Sequence, residues 1–499
     1  MDTWYLGIDL GTGSCKTALI NRRGRVLALG VGEYPLGAGA RRFEEQSAVG
    51  LFSGLVDSVR AARAQAGDLP GPCGGLSVGG ALHSLLAVDE SGEALTGVMT
   101  WADGRAAPQA AQLRSAAATH ALYDQTGCPA HAMYPLYKLL WLRENEPAIF
   151  RRARRFVSAK EYVVARLTGE WRVDYNVAAG TGLLNAFSLD WHQPALELCA
   201  VDAERLSPLG GPLARLAGLS PGAAKLLGLQ EGTPVFLGSS DAVNSNLGAG
   251  AVHPWQATCM IGTSGAYRII ADRPALDPQR RSWCYAIDRD HWLVGGAMNN
   301  GGLALTWLRD VLGREVSFEG LLDLAAQAQP GAEGLVCLPL FAGERSPNWN
   351  VHARGAFVGL TSRHELRHLA RAVLEGIALR MRSLQHVLAD LGLEIREVRA
   401  SGGFTQSPFW VQVIADVLQQ DLALPAFGET SSLGAGVWAL AAAGELAEPA
   451  GIGEYLPLAG VVRALAENGP VYERLYALFE RLYAALSPEF QELGSFESR

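Results

Sequence analysis

The sequence predicts an α/β protein made of two large halves of related design. Three observations lead there. Runs of strand character alternate with well-punctuated helices along the chain, the pattern of sheets covered by helices. Two Gly/Ser/Thr hairpins, Asp9–Lys16 and Gly262–Gly265, stand about half a chain apart, each between apolar strand-like runs. The chain's 499 residues, 49 % hydrophobic and 18 % charged, supply material for two cores and are too apolar for a disordered chain.

The elements follow in order. Trp4 to Ile20 reads as strand, glycine bend and strand, Asn21–Gly24 as a turn, and Arg25–Leu29 as a third strand. A helix is expected over Ala48–Ala66, then strands at Leu76–Val78 and Leu85–Val88. Met133–Asn145 reads as a helix with Pro135 at its first position and its Leu and Trp residues in the core. Ser158 and Glu161 spell a capping box before Tyr162–Leu167, which Gly169 closes. Strand Val235–Leu237 leads into the small polar run Gly238–Gly248.

The second half opens with strand Ala257–Ile261, turn Gly262–Gly265 and strand Ala266–Ile270. Ser362–Glu365 reads as a second capping box, ahead of apolar residues at helical spacing from Leu366 to Leu391, with Gly392 as the stop. A strand and glycine turn at Val398–Gly403 precede a helix from Ser407–Pro408 to Leu418, and Pro470–Leu486 is an amphipathic tail helix. The expected division is 1–250, 251–447 and a helical extension, 448–499, packed on the second domain.

Charge and cysteine content narrow the partners. The net charge is 42 − 50 = −8 with no long basic stretch, which argues against nucleic acid and anionic membrane. Seven cysteines, an odd number without a CxxC pair, argue against a disulfide framework or zinc site. No basic leader with an apolar core and no apolar run of about 20 residues is present, so a cytoplasmic protein is expected. Only four of the 42 cations are lysines (Lys16, Lys138, Lys160 and Lys225), leaving 38 arginines. A retained lysine can mark a need for a compact ammonium.

Several segments have the chemistry of a site, each beside a plainer reading. In Asp9-Leu-Gly-Thr12-Gly13-Ser14-Cys-Lys16, glycines let a phosphate approach the backbone, hydroxyls and N–H groups donate to it, and Lys16 neutralises it. Asp9 has the chemistry to hold Mg²⁺ through water. The plain alternative is an ordinary hairpin. Gly262-Thr263-Ser264-Gly265 is a second loop of this kind, and the pair favours a polyphosphate clamped between halves. Gly402 and Gly403, with Gln406 following, suit a nucleotide at a helix start or a tight connection. Asp241, after a strand and among small polar residues, reads as a general base on a hydroxyl or as a helix N-cap. His83, Trp101, Asp103 and Arg105 read as a polyol-binding set or as a surface turn with a local ion pair.

Taken together, these segments resemble the FGGY carbohydrate kinases within the larger actin-like ATPase fold, from about Leu6 to Gly444. Met133–Asn145 fits the first family signature. Gly355–Leu360, then seven residues and His368–Glu375, fits the second. Runs such as Thr126-Gly-Cys-Pro129, Tyr285-Ala-Ile-Asp288 and Gly295-Gly-Ala-Met-Asn299-Asn300 are similar to the gluconate kinases of that family.

The resemblance implies two actin-like (ribonuclease H-like) domains with an ATP and sugar cleft between them. It implies ATP and Mg²⁺ as cofactors and transfer of the γ-phosphate to a terminal hydroxyl of a small sugar acid or polyol, D-gluconate giving 6-phosphogluconate. The implied ATP-binding residues are Thr12, Gly13, Ser14, Lys16, Gly262, Thr263, Gly402, Gly403 and Gln406. Asp9 is the implied magnesium residue, Asp241 the implied base, and His83, Trp101, Asp103, Arg105 and Asp241 the sugar set. The rival readings are a kinase of xylulose or ribulose and a non-catalytic actin-like nucleotide-binding module; a homodimer is compatible with the sequence.

Overall fold

A computed structural model describes residues 3–34, 45–69, 71–311 and 315–496. Met1 and Asp2, on which part of the leader reading rests, and the last three residues of the expected extension lie outside these.

Two sheets organise the chain. The first has five strands in the order Val235–Phe236, Cys73–Gly80, Trp4–Leu10, Ser14–Asn21, Val26–Glu33. Trp4–Leu10 runs antiparallel to Ser14–Asn21 and parallel to Cys73–Gly80. The second has seven strands: Trp283–Ala286, Trp292–Met298, Gly265–Ala271, Gln256–Ile261, Glu397–Ser401, Leu422–Pro425 and Leu458–Val462. Gln256–Ile261 again pairs antiparallel with the next strand and parallel with a much later one. The two halves thus repeat one topology, that of the actin-like (ribonuclease H-like) fold.

Helices cover the sheets along lines set by alternation. In Ser14–Asn21, Thr17 points to the helix Ala48–Ala66, where its hydroxyl lies 2.8 Å from that of Ser58. The opposite face, with Ala18 and Ile20, is covered by the helix Thr430–Ala442, which arrives from the second half. Conversely the helix Asp241–Gly248, which follows the first sheet's last strand, reaches the second sheet, where Thr258 Oγ1 donates to Asn246 Oδ1 at 2.8 Å. These two exchanged helices meet backbone on backbone. A Cβ on Gly434 would overlap the Asn244 carbonyl oxygen, so no other residue permits this approach.

Local signals are realised with small shifts. The Ser158–Glu161 capping box forms and Gly169 closes its helix at φ 78°. The third strand runs to Glu33, beyond the expected Leu29, and Cys73–Gly80 is longer than expected on both sides. The expected capping box at Ser362 does not form. The helix Leu366–Asp390 is capped by Glu365, whose backbone N–H donates to His368 Nδ1 at 2.8 Å, so the cap sits three residues later. The tail helix Gly469–Leu486 packs beside Leu366–Asp390, where Arg371 Nη2 donates to the buried Tyr472 hydroxyl at 2.7 Å. All seven cysteines are unpaired. No helix among the described residues is long and apolar enough to cross a membrane.

Candidate active site

Asp9 lies near the end of the central strand of the first sheet, directly opposite Lys16 in the hairpin register. Asp241 opens the helix Asp241–Gly248 and is not its cap, as the plainer sequence reading held. Ser240 takes that role, accepting from the Val243 N–H at 3.3 Å. The backbone N–H groups of Ala242 and Leu82 lie close enough to favour the charged form of Asp241. Burial raises its pKa, while the guanidiniums of Arg268 and then Arg345, both from the second half, pull it back. Asp9 is pushed up to about 7, first by burial and then by the charge of Asp241. Its Oδ1 has no hydrogen-bond partner among the described residues. Two neighbouring carboxylates, one with an unsatisfied oxygen, suit a hard cation that keeps much of its water. No group of three or more His, Cys, Asp or Glu residues among the described residues forms a dry metal cage.

Each half carries one of the glycine hairpins. Thr12 Oγ1 accepts from Trp101 Nε1 at 3.0 Å, and the Gly11 carbonyl accepts from the Tyr34 hydroxyl at 2.7 Å. The second loop is buttressed by Gly301 and Gly302, whose N–H groups donate to Thr263 and Gly262 at 3.1 and 2.7 Å. Gly402 sits at φ 95°, against the Ile261 carbonyl, where a side chain is strained and crowded. Gly403 starts a single helical turn that ends at the exposed Gln406. No atom of the described residues fills the space a side chain would take at Gly13, Gly262 or Gly403, so the backbone there is open. Lys16 Nζ reaches across the halves to both carboxylate oxygens of Glu429, at 3.0 and 2.8 Å.

The expected sugar set divides. His83 is buried at φ 68°, with Nδ1 2.7 Å from the Gly180 carbonyl. A carbonyl accepts only, so Nδ1 carries the hydrogen and Nε2 is an acceptor. Burial holds His83 down to about 3, so the ring is neutral at physiological pH. Tyr134 and Tyr285 stand edge-on to it at 5.0 and 5.7 Å. The Trp101 ring carries the Arg345 guanidinium 4.6 Å from its centroid. Asp103 and Arg105, by contrast, are bonded to each other through Nε at 2.9 and 3.0 Å and Nη2 at 2.7 Å. Arg105 also binds Glu45 and lies over Trp141. This pair stiffens the segment beyond Trp101.

The lysines find their reasons here. Lys138 is fully buried, and its ammonium donates to the carbonyls of His83 at 2.7 Å and Thr100 at 2.6 Å, tying together the segments that carry His83 and Trp101. Lys160 binds Asp174 at 2.6 Å and the Ser239 carbonyl at 3.1 Å, just before Asp241. Lys225 is exposed in the last turn of Pro221–Leu227, where a cation favours the helix dipole. Sequence reasoning missed Arg268 and Arg345. Arg268 had a readable signal, being the sole charge in a strand, Gly265–Ala271, that is buried throughout. Arg345 had none, because its approach to Trp101 is purely tertiary.

The N-terminal domain model of the FGGY family of carbohydrate kinases matches residues 4–248, and the C-terminal domain model matches 257–443. The chain belongs to the FGGY family of carbohydrate kinases. It is 32 % identical over 508 aligned positions to a gluconokinase of Bacillus licheniformis, covering 100 % of this chain and 99 % of that one. The crystal structure of a gluconate kinase from Lactobacillus acidophilus superposes with a TM-score of 0.94 at 30 % identity, over 99 % of this chain and 100 % of that one. A ligand-bound xylulose kinase from the same organism also gives 0.94 at 30 %, over 98 % and 100 %. The FGGY fold and sugar kinase class are therefore fixed, and these kinases use ATP, generally with Mg²⁺.

Proposed function

We propose that this FGGY kinase transfers the γ-phosphate of ATP to the terminal hydroxyl of an open-chain sugar acid, converting D-gluconate to 6-phosphogluconate in the cytoplasm. The observation that carries the reading is the placement of Asp241. It stands at a helix start, where it feels the charges of two arginines of the opposite half and is felt in turn by Asp9.

Phosphoryl transfer asks the protein mainly to align the reactants and neutralise charge. Asp241 takes the proton of the attacking hydroxyl, and the nearby guanidiniums oppose the rise that burial imposes on its pKa. Thr12, Gly13, Ser14 and Lys16 on one side and Gly262 and Thr263 on the other cradle the phosphates. Gly402, Gly403 and Gln406 take the nucleoside. Asp9, whose Oδ1 has no partner among the described residues, would hold Mg²⁺ through water, and the cation would add charge neutralisation at the phosphates. His83 Nε2 accepts from a substrate hydroxyl, and Trp101 forms an apolar wall. Asp103 and Arg105 support that wall from a distance.

The gluconokinase relative favours the sugar acid. A neutral ketose such as xylulose is the second reading, supported by the equal superposition of the xylulose kinase. A coupled ADP-release assay with D-gluconate, D-xylulose, D-ribulose and no sugar tests both. Sugar-dependent ADP release with D-gluconate as the best acceptor is expected. Preference for a ketose overturns the acceptor, and release that ignores sugar overturns the kinase reading.

A further inference from the structure

Two arginines beside Asp241 have more positive charge than the protein around them answers. Arg268 is 6 % exposed and Arg345 is 8 % exposed, and the Nε of each is buried without a hydrogen-bond partner among the described residues. An isolated buried guanidinium is costly unless it is paired and hydrogen-bonded. Burial holds both near 10, and repulsion from Arg268 adds to the lowering at Arg345. The opposing charge that both feel is the single carboxylate of Asp241. His83 and His131, which feel Arg345, are held neutral by burial, and Tyr134 and Tyr285 keep their protons.

The arginines are also fixed in place. Arg345 Nη2 donates to the Met298 carbonyl at 3.0 Å, and its plane lies over Trp101. Arg268 is carried by a strand buried throughout. Asp241 feels both guanidiniums, and Arg345 is the one that also lies over Trp101 of the expected sugar set.

We propose that Arg345, backed by Arg268, is the anchor for the carboxylate of the substrate, gripping the acid end while the far hydroxyl meets Asp241. The proposal rests on the sugar-acid reading and deepens it. A planar guanidinium matches a carboxylate in a way an ammonium does not, and a bound anion relieves the repulsion between the two arginines. Selection for an acid then resides in the second half, while the proton acceptor resides in the first.

The test compares D-gluconate with D-glucitol, which carries a neutral hydroxymethyl group in place of the carboxylate. Calorimetry on the wild-type chain is expected to show gluconate binding at least tenfold tighter. Arg345→Met is expected to raise the gluconate KM about ten- to hundredfold, with a smaller change in kcat, and to abolish the preference over glucitol. Arg345→Lys is expected to recover part of the loss. If the wild type binds both compounds equally, or Arg345→Met leaves the gluconate KM within twofold, the anchor assignment falls while gluconate turnover can stand. If the wild type phosphorylates no sugar acid, the reading beneath it falls as well. Should the methionine variant fail to fold, equal binding of the two compounds by the wild type would still overturn the anchor.

Discussion

Lys160 Nζ donates to Asp174 Oδ2 at 2.6 Å in the interior of the first half, with only 2 % and 1 % of the two side chains exposed. The pair does more than cancel its own charge. Asp174 caps the short helix Tyr175–Ala179 by accepting from the N–H groups of Asn176 and Val177. Asn176 Oδ1 accepts from the Ser240 hydroxyl at 2.6 Å, and Ser240 caps the helix that begins with Asp241. A line of polar contacts therefore runs from a buried lysine to the proposed base.

Lys160→Met is expected to lower stability by about 3–5 kcal/mol, because it strands a buried carboxylate. The double variant Lys160→Met/Asp174→Asn should regain part of that loss. Denaturant unfolding of the two variants and the wild type measures both effects; equal stability of Lys160→Met and wild type would refute the network.

Asp241→Asn keeps the shape of the side chain and removes its capacity to accept a proton. The expected result is a fall in kcat of about 10²–10⁴ with ATP affinity nearly unchanged. Steady-state kinetics together with nucleotide titration checks it, and near-normal turnover would end the general-base role.

Lys138 gives a pH signature. Burial holds it down to about 7 against 10.5 for an ordinary lysine. Between those values the unfolded chain binds a proton that the folded chain lacks, so this residue makes stability rise with pH through that window. Below about 7 both states are charged and the burial penalty is full. A neutral amine still has two N–H groups, enough for the carbonyls of His83 and Thr100. Lys138→Met strands both carbonyls and removes the titration. Its stability deficit against wild type is expected to widen from pH 7 to pH 10, which urea midpoints across that range would reveal.

Lys16 and Glu429 are 37 % and 42 % exposed, so their contact contributes at most about 1 kcal/mol to stability. Lys16→Met should therefore melt close to wild type while raising the KM for ATP. A large loss of stability with unchanged ATP kinetics would assign Lys16 to structure instead.

The parts of this fold that follow local rules are legible in the sequence. Pro135 at a helix start, the Ser158–Glu161 box and the two glycine hairpins each act over a few residues. The Ser362 box misled because Glu365 and His368 offered a competing cap three residues on. The site was half legible. Asp9, Asp241 and the loops stand out by residue type, whereas Arg345 over Trp101 joins residues 244 positions apart (345 − 101) and leaves no local trace. Asp103 and Arg105 look like binding residues in sequence, yet their charges answer each other. Lys138 and Lys160 were visible only as rarities, since their reason is tertiary.

The helices that touch at Gly434 and Asn244 leave no slack between the halves. Where side chains pack, an extra methyl group can be absorbed by a change of rotamer. Where backbone meets backbone, nothing is free to yield. This seam therefore helps to set the spacing between the half that carries Asp241 and the half that carries Arg268 and Arg345. A methyl group added at Gly434 would prise the two helices apart and weaken phosphorylation of every acceptor alike.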